Sequence, residues 1–347
     1  MSSGSQQYRW PAEWEAHAAT WLAWPHHEED WPGKFAPVPW VYAEIIRWLS
    51  QSETVHLLVP SEAHAHQARH ILEQSGVAEH QVVLHQVPTN RCWTRDYAPL
   101  FVQEASGKKV ALKWRFNGWA KYPDWQQDDA AGCAIARLSG VPMREVTYQG
   151  RAVVLEGGAV DSNGQGVLLT TEQCLLSEEQ QRNPGFSRRD YEHLFSQWLG
   201  ATSIVWLAGG ISGDDTHGHV DDVARFVRAD TVALVRPAGR HHPDFEVYQE
   251  NLRRLKSASQ AGRPLELVEL PAPQPRIFRG QVLPASYANF YLANRVVLVP
   301  LYNDPADRIA LNLLAELYPE RQVVGIYCGD FILGLGAVHC ATMQEPT

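Results

Sequence analysis

The stretch VHLLVPSEAHAHQARHILEQSGVAEHQVVLHQV, residues 55–87, determines the predicted fold class. Val55–Val59 and Val82–Val87 are short apolar runs rich in β-branched residues, which is typical of buried strands. Between them, Ser61 is a plausible helix cap and Gly76 a plausible helix end. A strand, a helix and a second strand therefore follow one another, and this order indicates an α/β protein.

The same alternation continues through the rest of the sequence. Further apolar runs that we interpret as strands are 110–114, 153–155, 167–170, 204–207, 232–235, 296–301 and 323–326. Helical patterns occupy 41–51, 187–200, 246–259 and 304–319, and Ser187 is a plausible cap for the second of these. No Gly/Ser linker, charge block or low-complexity tract interrupts the pattern, so we expect one domain spanning residues 1–347.

The composition of the chain disfavours membrane, secreted and nucleic-acid-binding proteins. Of the 347 residues, 45% are hydrophobic and 20% charged, which is typical of soluble globular proteins, and no apolar run reaches membrane-spanning length. The N-terminus has no basic segment followed by an apolar one, so no secretory signal is predicted and we expect a cytoplasmic protein. The net charge of −9 disfavours binding to nucleic-acid phosphates and is compatible with a small cationic ligand.

The cysteines and tryptophans add two expectations. Five cysteines are scattered without a CxxC pair, which argues against a disulfide framework and against a thiolate zinc site. Thirteen tryptophans leave room for an apolar interface, so a homo-oligomer is compatible with the sequence.

Two polar clusters follow one another in the first half of the chain, where predicted strands end and α/β folds hold ligands. TNRCWTRDYAP (89–99) contains Trp93 and Asp96; these are either ligand-binding residues or a core tryptophan and a surface ion pair with Arg95. In VVLEGGAVD (153–161), Glu156 leaves an apolar strand just before two glycines, which allow a sharp turn or close approach to a ligand. The alternative is a carboxylate that caps a neighbouring turn.

GDDTHGHVDD (213–222) has two incompatible interpretations. His217, His219, Asp221 and Asp222 are the residue types that bind a divalent cation. If 217–223 is extended, however, His219 and Asp221 face one cavity, where an imidazole moves protons and a carboxylate holds a cationic substrate.

GLGAVHCATMQ (334–344) contains Cys340 near the end of the sequence. A lone cysteine is usually a small buried hydrophobic residue. A thiol carried on a glycine-containing loop beside a histidine is also a plausible nucleophile, so both readings stay open on the residues alone.

Together, TNRCWTRDYAP, LEGGAVD with LLTTEQCLL, GHVDD, PASYANFYLAN and HCATMQ resemble the agmatine deiminase and bacterial peptidylarginine deiminase group of guanidino-group-modifying enzymes. The resemblance covers nearly the whole chain, with the motifs in the family's order. It implies an α/β fold in which five ββαβ-type units form a closed, pentein-like five-bladed propeller around a central active site. It also implies that neither a metal nor an organic cofactor takes part.

Carried over to this sequence, the resemblance makes Cys340 the nucleophile, His219 the general acid and base, and Glu156 its carboxylate partner. It makes Asp96 and Asp221 the residues that clamp the guanidinium. Trp93 is implied to contact the substrate, and Asp215 is implied to meet its far amine; His217 receives no role.

The reaction that fits these residue types is hydrolysis of a guanidinium through a covalent amidino-cysteine intermediate. A planar guanidinium carries N–H donors on all three nitrogens, which paired carboxylates accept. A metal beside His219 would add a second cation next to the cationic substrate and would consume the base. We therefore favour the deiminase over a metal-dependent hydrolase or a non-catalytic guanidinium-binding protein.

The expected substrate is agmatine, giving N-carbamoylputrescine and ammonia. Free, methylated or peptide-terminal arginine is the alternative, because the sequence departs from the agmatine-specific pattern in two places. GLGAV and ATMQ flank the His–Cys pair, and WLAWPHHEEDWPGKF (21–35) lacks an Arg-x-Asp-Asn-Trp motif.

Overall fold

The computed structural model describes residues 8–347. Residues 1–7 lie outside the described residues. The prediction that the N-terminus carries no secretory signal falls partly on them. The strands are β1 (Tyr8–Arg9), β2 (His17–Ala23), β3 (Thr54–Val59), β4 (Val82–Gln86), β5 (Leu100–Glu104), β6 (Lys109–Lys113), β7 (Met143–Glu145), β8 (Thr147–Tyr148), β9 (Arg151–Ala152), β10 (Val160–Ser162), β11 (Val167–Thr171), β12 (Ser203–Leu207), β13 (Ala224–Arg228), β14 (Thr231–Arg236), β15 (Ser259–Gln260), β16 (Arg263–Pro264), β17 (Glu266–Pro271), β18 (Arg276–Phe278), β19 (Gln281–Leu283), β20 (Tyr291–Leu292), β21 (Val296–Leu301), β22 (Gln322–Tyr327) and β23 (Met343–Pro346).

The α-helices lie between these strands. They are α1 (Val38–Leu49), α2 (Glu62–Gln74), α3 (Thr94–Tyr97), α4 (Gln126–Leu138), α5 (Glu172–Leu176), α6 (Arg188–Leu199), α7 (Phe245–Lys256) and α8 (Asp307–Leu317). Of these, α2, α5 and α6 begin at a side-chain cap. The predicted cap Ser61 accepts a hydrogen bond from the backbone N–H of His64, and Ser187 forms a capping box with Asp190. Helix α6 ends at Gly200, whose φ of 69° is the left-handed conformation that glycine adopts at helix ends.

Within residues 8–347, five sheets of three or four strands repeat one plan. Their strand orders are β1-β5-β6-β7 (unit 1), β10-β11-β12 (unit 2), β13-β14-β17 (unit 3), β20-β21-β22 (unit 4) and β23-β2-β3-β4 (unit 5). Each unit contains an antiparallel pair that a parallel strand extends, and a helix connects the parallel strands. These are ββαβ units, as the resemblance implies.

The buried core lies between the sheets and their helices. In α1, Tyr42, Ile45, Ile46 and Leu49 are fully buried, at the spacing of one helical face. All five residues of β11 are buried, as expected for a strand covered on both sides. No helix in the described part of the chain is long and apolar enough to cross a membrane.

The predicted strand 153–155 is wrong. This segment forms only an isolated bridge between Arg115 and Val154. The side chain of Asn183 both donates to the carbonyl of Val154 and accepts from its N–H. Because an amide side chain satisfies both backbone groups, this residue needs no partner strand. The other predicted strands form within a residue or two of their expected limits.

Candidate active site

The polar clusters meet because each occupies the same place in its unit. Asp96 precedes β5, Glu156 precedes β10, and His219 with Asp221 precedes β13. Asn289 and Cys340 hold the corresponding positions before β20 and β23. One short segment from each of the five units therefore contributes to a common site.

A cavity of about 320 Å³ opens onto this site. Its wall includes Trp93, Asp96, Asp215 and Cys340. His219, Glu156 and Asp221 lie behind this wall, and each is at most 1% exposed. These catalytic candidates are thus almost completely shielded from water. Electrostatic interactions between them are strong because the protein interior screens charges less than water does.

His219 is surrounded by carboxylates. Its Nε2 lies 3.9 Å from Glu156 Oε2, and its Nδ1 lies 3.8 Å from Asp96 Oδ1 and 3.9 Å from Asp221 Oδ1. Burial lowers the pKa of the imidazole, but the negative charges of these residues outweigh it and raise the pKa of His219 to about 9. The ring is therefore a cation at neutral pH.

The carboxylate of Glu156 forms a buried ion pair with the guanidinium of Arg182. Arg182 donates from Nε to Glu156 Oε1 at 3.0 Å, and both side chains are fully buried. Burial raises the pKa of Glu156, but Arg182 and His219 outweigh this effect and lower the pKa to about 2. Glu156 consequently remains a carboxylate, with Oε2 free of any hydrogen bond among the described residues. Arg182 was missed in the sequence because no nearby motif distinguishes it.

Asp96 is anchored through both carboxylate oxygens, whereas Asp221 is anchored through one. Asp96 Oδ2 accepts from the indole N–H of Trp119 at 2.9 Å, and Oδ1 accepts from the backbone N–H of Gly158 at 3.2 Å. Asp221 Oδ2 lies 2.7 Å from Nδ1 of His339, whereas Oδ1 has no hydrogen-bond partner among residues 8–347. Burial raises the pKa of Asp96 to about 6, and His339 keeps the pKa of Asp221 low against the opposing effect of burial.

Gly158 allows these groups to approach one another. A Cβ at this position would lie 2.5 Å from His219 Nδ1, 3.0 Å from Asp96 Oδ1 and 3.1 Å from Asp221 Oδ2. The glycine pair that follows Glu156 therefore permits the close approach that the sequence predicts.

Cys340 lies at the same site and is 6% exposed. Its Sγ accepts a hydrogen bond from Asn289 Nδ2 at 3.1 Å and lies 3.8 Å from Asp221 Oδ2. Burial raises the pKa of the thiol, and the carboxylates of Asp221, Asp222 and Asp96 raise it further. The thiol of Cys340 therefore keeps its proton at neutral pH in this arrangement. Asn289 lies in PASYANFYLAN, but the sequence alone assigned it no role.

Trp93 packs over the loop that carries Cys340. Its ring centroid lies 5.7 Å from that of Trp31 and 5.6 Å from that of Phe331. A Cβ at Gly334 or Gly336 would meet the Trp93 ring at 2.9 Å or 2.8 Å. The two glycines before Cys340 therefore leave space for this tryptophan.

Asp215 lies at the mouth of the cavity. Its carboxylate accepts from the hydroxyl of Tyr122 at 2.5 Å and forms an ion pair with Lys121. The side chain of Asp215 is 16% exposed and that of Lys121 is 42% exposed. The acidic position predicted to meet a far amine is thus already paired with a cation.

The extended conformation considered for 217–223 is wrong. Asp214 accepts hydrogen bonds from the backbone N–H groups of Thr216, Gly218 and His219, which bend the segment into a turn. His217 has a φ of 64°, and residues 220–222 form a 3-10 helix. His219 and Asp221 still reach the same site, but through a turn.

His217 is separated from the other candidate metal ligands. Its Nε2 bonds to Ser177 Oγ at 3.1 Å. The groups of three potential ligands in the described chain are Glu156 with Cys174 and His219, and Asp221 with Asp222 and Cys340. The four-residue metal site considered for 217–222 therefore does not form from these side chains, and the absence of a metal remains a prediction.

The buried atoms without partners define the ligand chemistry. His219 Nδ1 and Nε2, Asp221 Oδ1 and Glu156 Oε2 have no hydrogen-bond partner among residues 8–347. Buried polar groups left unpaired cost about 1–3 kcal/mol each. A planar cation that carries several N–H donors would pair with these carboxylate oxygens.

The fold is of the α/β pentein type. The chain superimposes on agmatine deiminase of Enterococcus faecalis with a TM-score of 0.89 and 30% identity, covering 100% of this chain and 99% of that one. A C. jejuni agmatine deiminase with substrate bound gives a TM-score of 0.89 at 26% identity, covering 100% and 98%. An amidinotransferase from Microseira wollei, at 12% identity and a TM-score of 0.51 over 96% and 95%, shares the fold alone.

Sequence comparison identifies the family. The family model described as Porphyromonas-type peptidyl-arginine deiminase matches residues 9–346. A protein of Selenomonas ruminantium named as a putative agmatine deiminase is 36% identical, over 97% of this chain and 95% of its own length. The chain belongs to the Porphyromonas-type peptidyl-arginine deiminase family, and it is therefore an enzyme of the deiminase type.

Proposed function

We propose that the protein is an agmatine deiminase that converts agmatine and water to N-carbamoylputrescine and ammonia. The observation that carries this proposal is the cluster of buried, incompletely paired carboxylates around one thiol and one imidazolium. Relatives named as agmatine deiminases, in sequence and in structure, support the same substrate.

In the first half of the proposed reaction, Asp96 and Asp221 accept hydrogen bonds from the guanidinium. Its positive charge lowers the pKa of the Cys340 thiol, which loses its proton to solvent. The thiolate then forms an S–C bond with the central carbon. His219 donates its proton to one amino group, which leaves as ammonia, and a cationic amidino thioether remains.

In the second half, His219 is neutral and acts as a base. It takes a proton from a water molecule as the oxygen bonds to the amidino carbon. The C–S bond then breaks, sulfur leaves as a thiolate, and loss of a proton gives the ureido product. Glu156, held by Arg182, keeps the imidazole oriented and favours its charged form in each cycle.

Asp215 is the proposed contact for the far ammonium of agmatine. A carboxylate at the mouth of the cavity attracts an ammonium and repels the carboxylate that free arginine carries. Trp93 is proposed to line the substrate's path, since it lies in the cavity wall beside Cys340.

The wider organisation is also proposed. Five ββαβ units that each contribute to one site support a closed five-bladed arrangement and a single catalytic domain over residues 1–347. The five unpaired cysteines support a reducing, cytoplasmic setting. We propose that the partner is the small cationic substrate and that nucleic acid is not bound; a homo-oligomer is compatible with the chain.

The decisive experiment measures ammonia release from a panel of guanidino compounds by chelator-treated protein. We expect agmatine to be the best substrate, with arginine and arginyl peptides much poorer. Loss of activity with the chelator, restored by metal, would instead favour a metal-dependent hydrolase. Binding without turnover of any compound would favour a guanidinium-binding protein.

A further inference from the structure

Behind the site, the carboxylate of Glu13 joins groups from several units. Glu13 Oε2 lies 2.8 Å from His339 Nε2, and 2.9 Å and 3.4 Å from the guanidinium nitrogens of Arg225 and Arg95. Its Oε1 accepts from the backbone N–H of Leu292 at 2.9 Å. The side chain of Glu13 is only 5% exposed.

His339 connects this carboxylate to the site. Its Nε2 faces Glu13, and its Nδ1 lies 2.7 Å from Oδ2 of Asp221. Each ring nitrogen lies within hydrogen-bond distance of a carboxylate oxygen, so the ring bridges two acidic side chains. The bridge occupies Oδ2 of Asp221 and leaves Oδ1 for a ligand.

We propose that Glu13 is a positioning residue that holds the guanidinium-binding carboxylate of Asp221 in place through His339. The inference rests on the proposed function, because it concerns the carboxylate assigned to the guanidinium. Glu13 does not touch the substrate; it fixes the ring that fixes the carboxylate, as outer-shell groups orient metal-binding histidines.

The surrounding charges explain why a neutral replacement would matter. Arg95 and Arg225 are both buried beside Glu13, and Arg225 also pairs with Asp161 at 3.2 Å. The two carboxylate oxygens of Glu13 now contact His339, the backbone N–H of Leu292 and two arginines. A glutamine at position 13 would have only one oxygen to accept these hydrogen bonds. It would also leave excess positive charge behind the site, which opposes a bound cation.

The molecule contains a matched control in Glu53. This glutamate is buried and lies 3.4 Å from a buried histidine, His17, while its second oxygen accepts from the backbone N–H of Asn294. Neither Glu53 nor His17 contacts Asp221, His339 or Cys340 through a hydrogen bond or ion pair in the described chain. His17 Nε2 lies 2.8 Å from the backbone carbonyl of Glu13, so the two sites touch through the main chain. Glu53→Gln nevertheless removes a similar buried charge and leaves the side-chain contacts of Glu13 and His339 in place.

The test measures binding of methylguanidinium by calorimetry in the Cys340→Ala background, where no turnover occurs. We expect Glu13→Gln to weaken binding about 10- to 100-fold, the range found when the partner of a metal-binding histidine is removed. Glu53→Gln should lower the unfolding temperature but change the binding constant by less than about twofold. In the thiol-containing enzyme, Glu13→Gln should raise KM for agmatine and for butylguanidine by the same factor, since only the shared guanidinium end is affected.

A second variant keeps the test decisive if Glu13→Gln does not fold. His339→Gln cuts the same bridge from its other end and should give a similar loss, and the folded double variant should lose less than the sum of the two. Unchanged methylguanidinium affinity in either folded variant, or an equal loss in Glu53→Gln, would overturn the inference. Failure of the wild-type chain to bind methylguanidinium or to release ammonia from agmatine would overturn the proposed function and the inference with it.

Discussion

The inner and outer ends of the cavity are built differently. At the inner end, Asp96, Glu156, His219 and Asp221 are at most 2% exposed, and several of their polar atoms lack partners. At the outer end, Asp215 is partly exposed and already paired with Lys121 and Tyr122. At the inner end, buried polar atoms therefore remain unpaired until a ligand binds. At the outer end, the carboxylate of Asp215 already has an ion-pair partner before a ligand binds.

The buried inner end is suited to the chemistry, and the exposed outer end is suited to substrate selectivity. Unsolvated charges interact strongly, so small changes at the inner end should cause large losses of activity. Exposed ion pairs contribute little because water screens them, so the outer end should adjust substrate preference by modest amounts. Variants at positions from the inner end to the outer end of the cavity should therefore lose progressively less activity.

The largest effect is expected for Cys340→Ala, which removes the proposed nucleophile. Turnover of agmatine should fall by at least about 10³-fold, because Cys340 is the one cysteine among the described residues that lines the cavity. Cys328→Ala, at another buried cysteine, is the control and should retain activity. Appreciable ammonia release by Cys340→Ala would rule out the covalent route. If loss of His219 impairs its later role as base more than its role as acid, mass spectrometry of His219→Ala should find the trapped amidino group on Cys340.

Asp96→Asn and Asp221→Asn come next, since each removes one charge from the proposed clamp. We expect losses of about 2–5 kcal/mol in transition-state binding, because the guanidinium would lose a desolvated partner. Steady-state kcat/KM with agmatine and with butylguanidine measures the loss, which should be similar for both. A fall of less than about tenfold would mean that the residue does not contact the guanidinium.

Asp215→Asn should have an intermediate effect that depends on the substrate. Agmatine should lose about 1–3 kcal/mol in kcat/KM through a missing charge-assisted hydrogen bond. Butylguanidine, which ends in a methyl group, should be nearly unaffected. Equal losses for both substrates would assign Asp215 to the scaffold, and a wild-type preference for arginine would reject agmatine as the substrate.

The pH dependence of kcat/KM connects the inner charges to the reaction. Activity should rise as Asp96 ionises near pH 6 and fall as His219, whose pKa is raised to about 9, loses the proton that ammonia requires. Asp96→Asn removes a charge that raises the pKa of His219, so its falling limb should move to lower pH by about one unit or less. A falling limb that stays in place would show that Asp96 does not act on His219.

Lys121→Met should give the smallest effect and in the opposite direction. Removing the lysine frees Asp215 for the ammonium of agmatine, so KM should decrease. The gain should be about 0.2–1 kcal/mol, because the ion pair is partly exposed. Butylguanidine kinetics provide the control and should not change. An increase in KM for agmatine would mean that Lys121 supports the substrate site and does not compete for it.

Local signals in the sequence predicted much of the fold. Ser61 and Ser187 cap helices as expected, because capping depends on residues within one turn. The strand predicted at 153–155 failed because both backbone groups of Val154 bond to the side chain of Asn183, which local hydrophobicity does not reveal. The turn at 217–222 was missed for a similar reason, since Asp214 organises it through its side chain.

The site was predicted in part. Motifs rich in ionisable residues marked Asp96, Glu156, His219, Asp221 and Cys340, and the structure brings these five side chains together, while their roles stay predictions. Arg182, Asn289 and Glu13 were missed because their partners are far away in sequence. Nothing near Glu13 in PAEWEAH indicates that its carboxylate meets a histidine at position 339.

The distribution of site residues over all five units has a consequence for folding kinetics. Glu13 and His339 are 326 positions apart in the chain, and no fragment that lacks a unit contains every residue of the site. Bringing such distant segments together costs loop-closure entropy and makes folding slow. The distinctive reactivity of Cys340 should therefore appear last during refolding, after the individual sheets have formed, so that a partly folded chain would expose an ordinary thiol and have no activity.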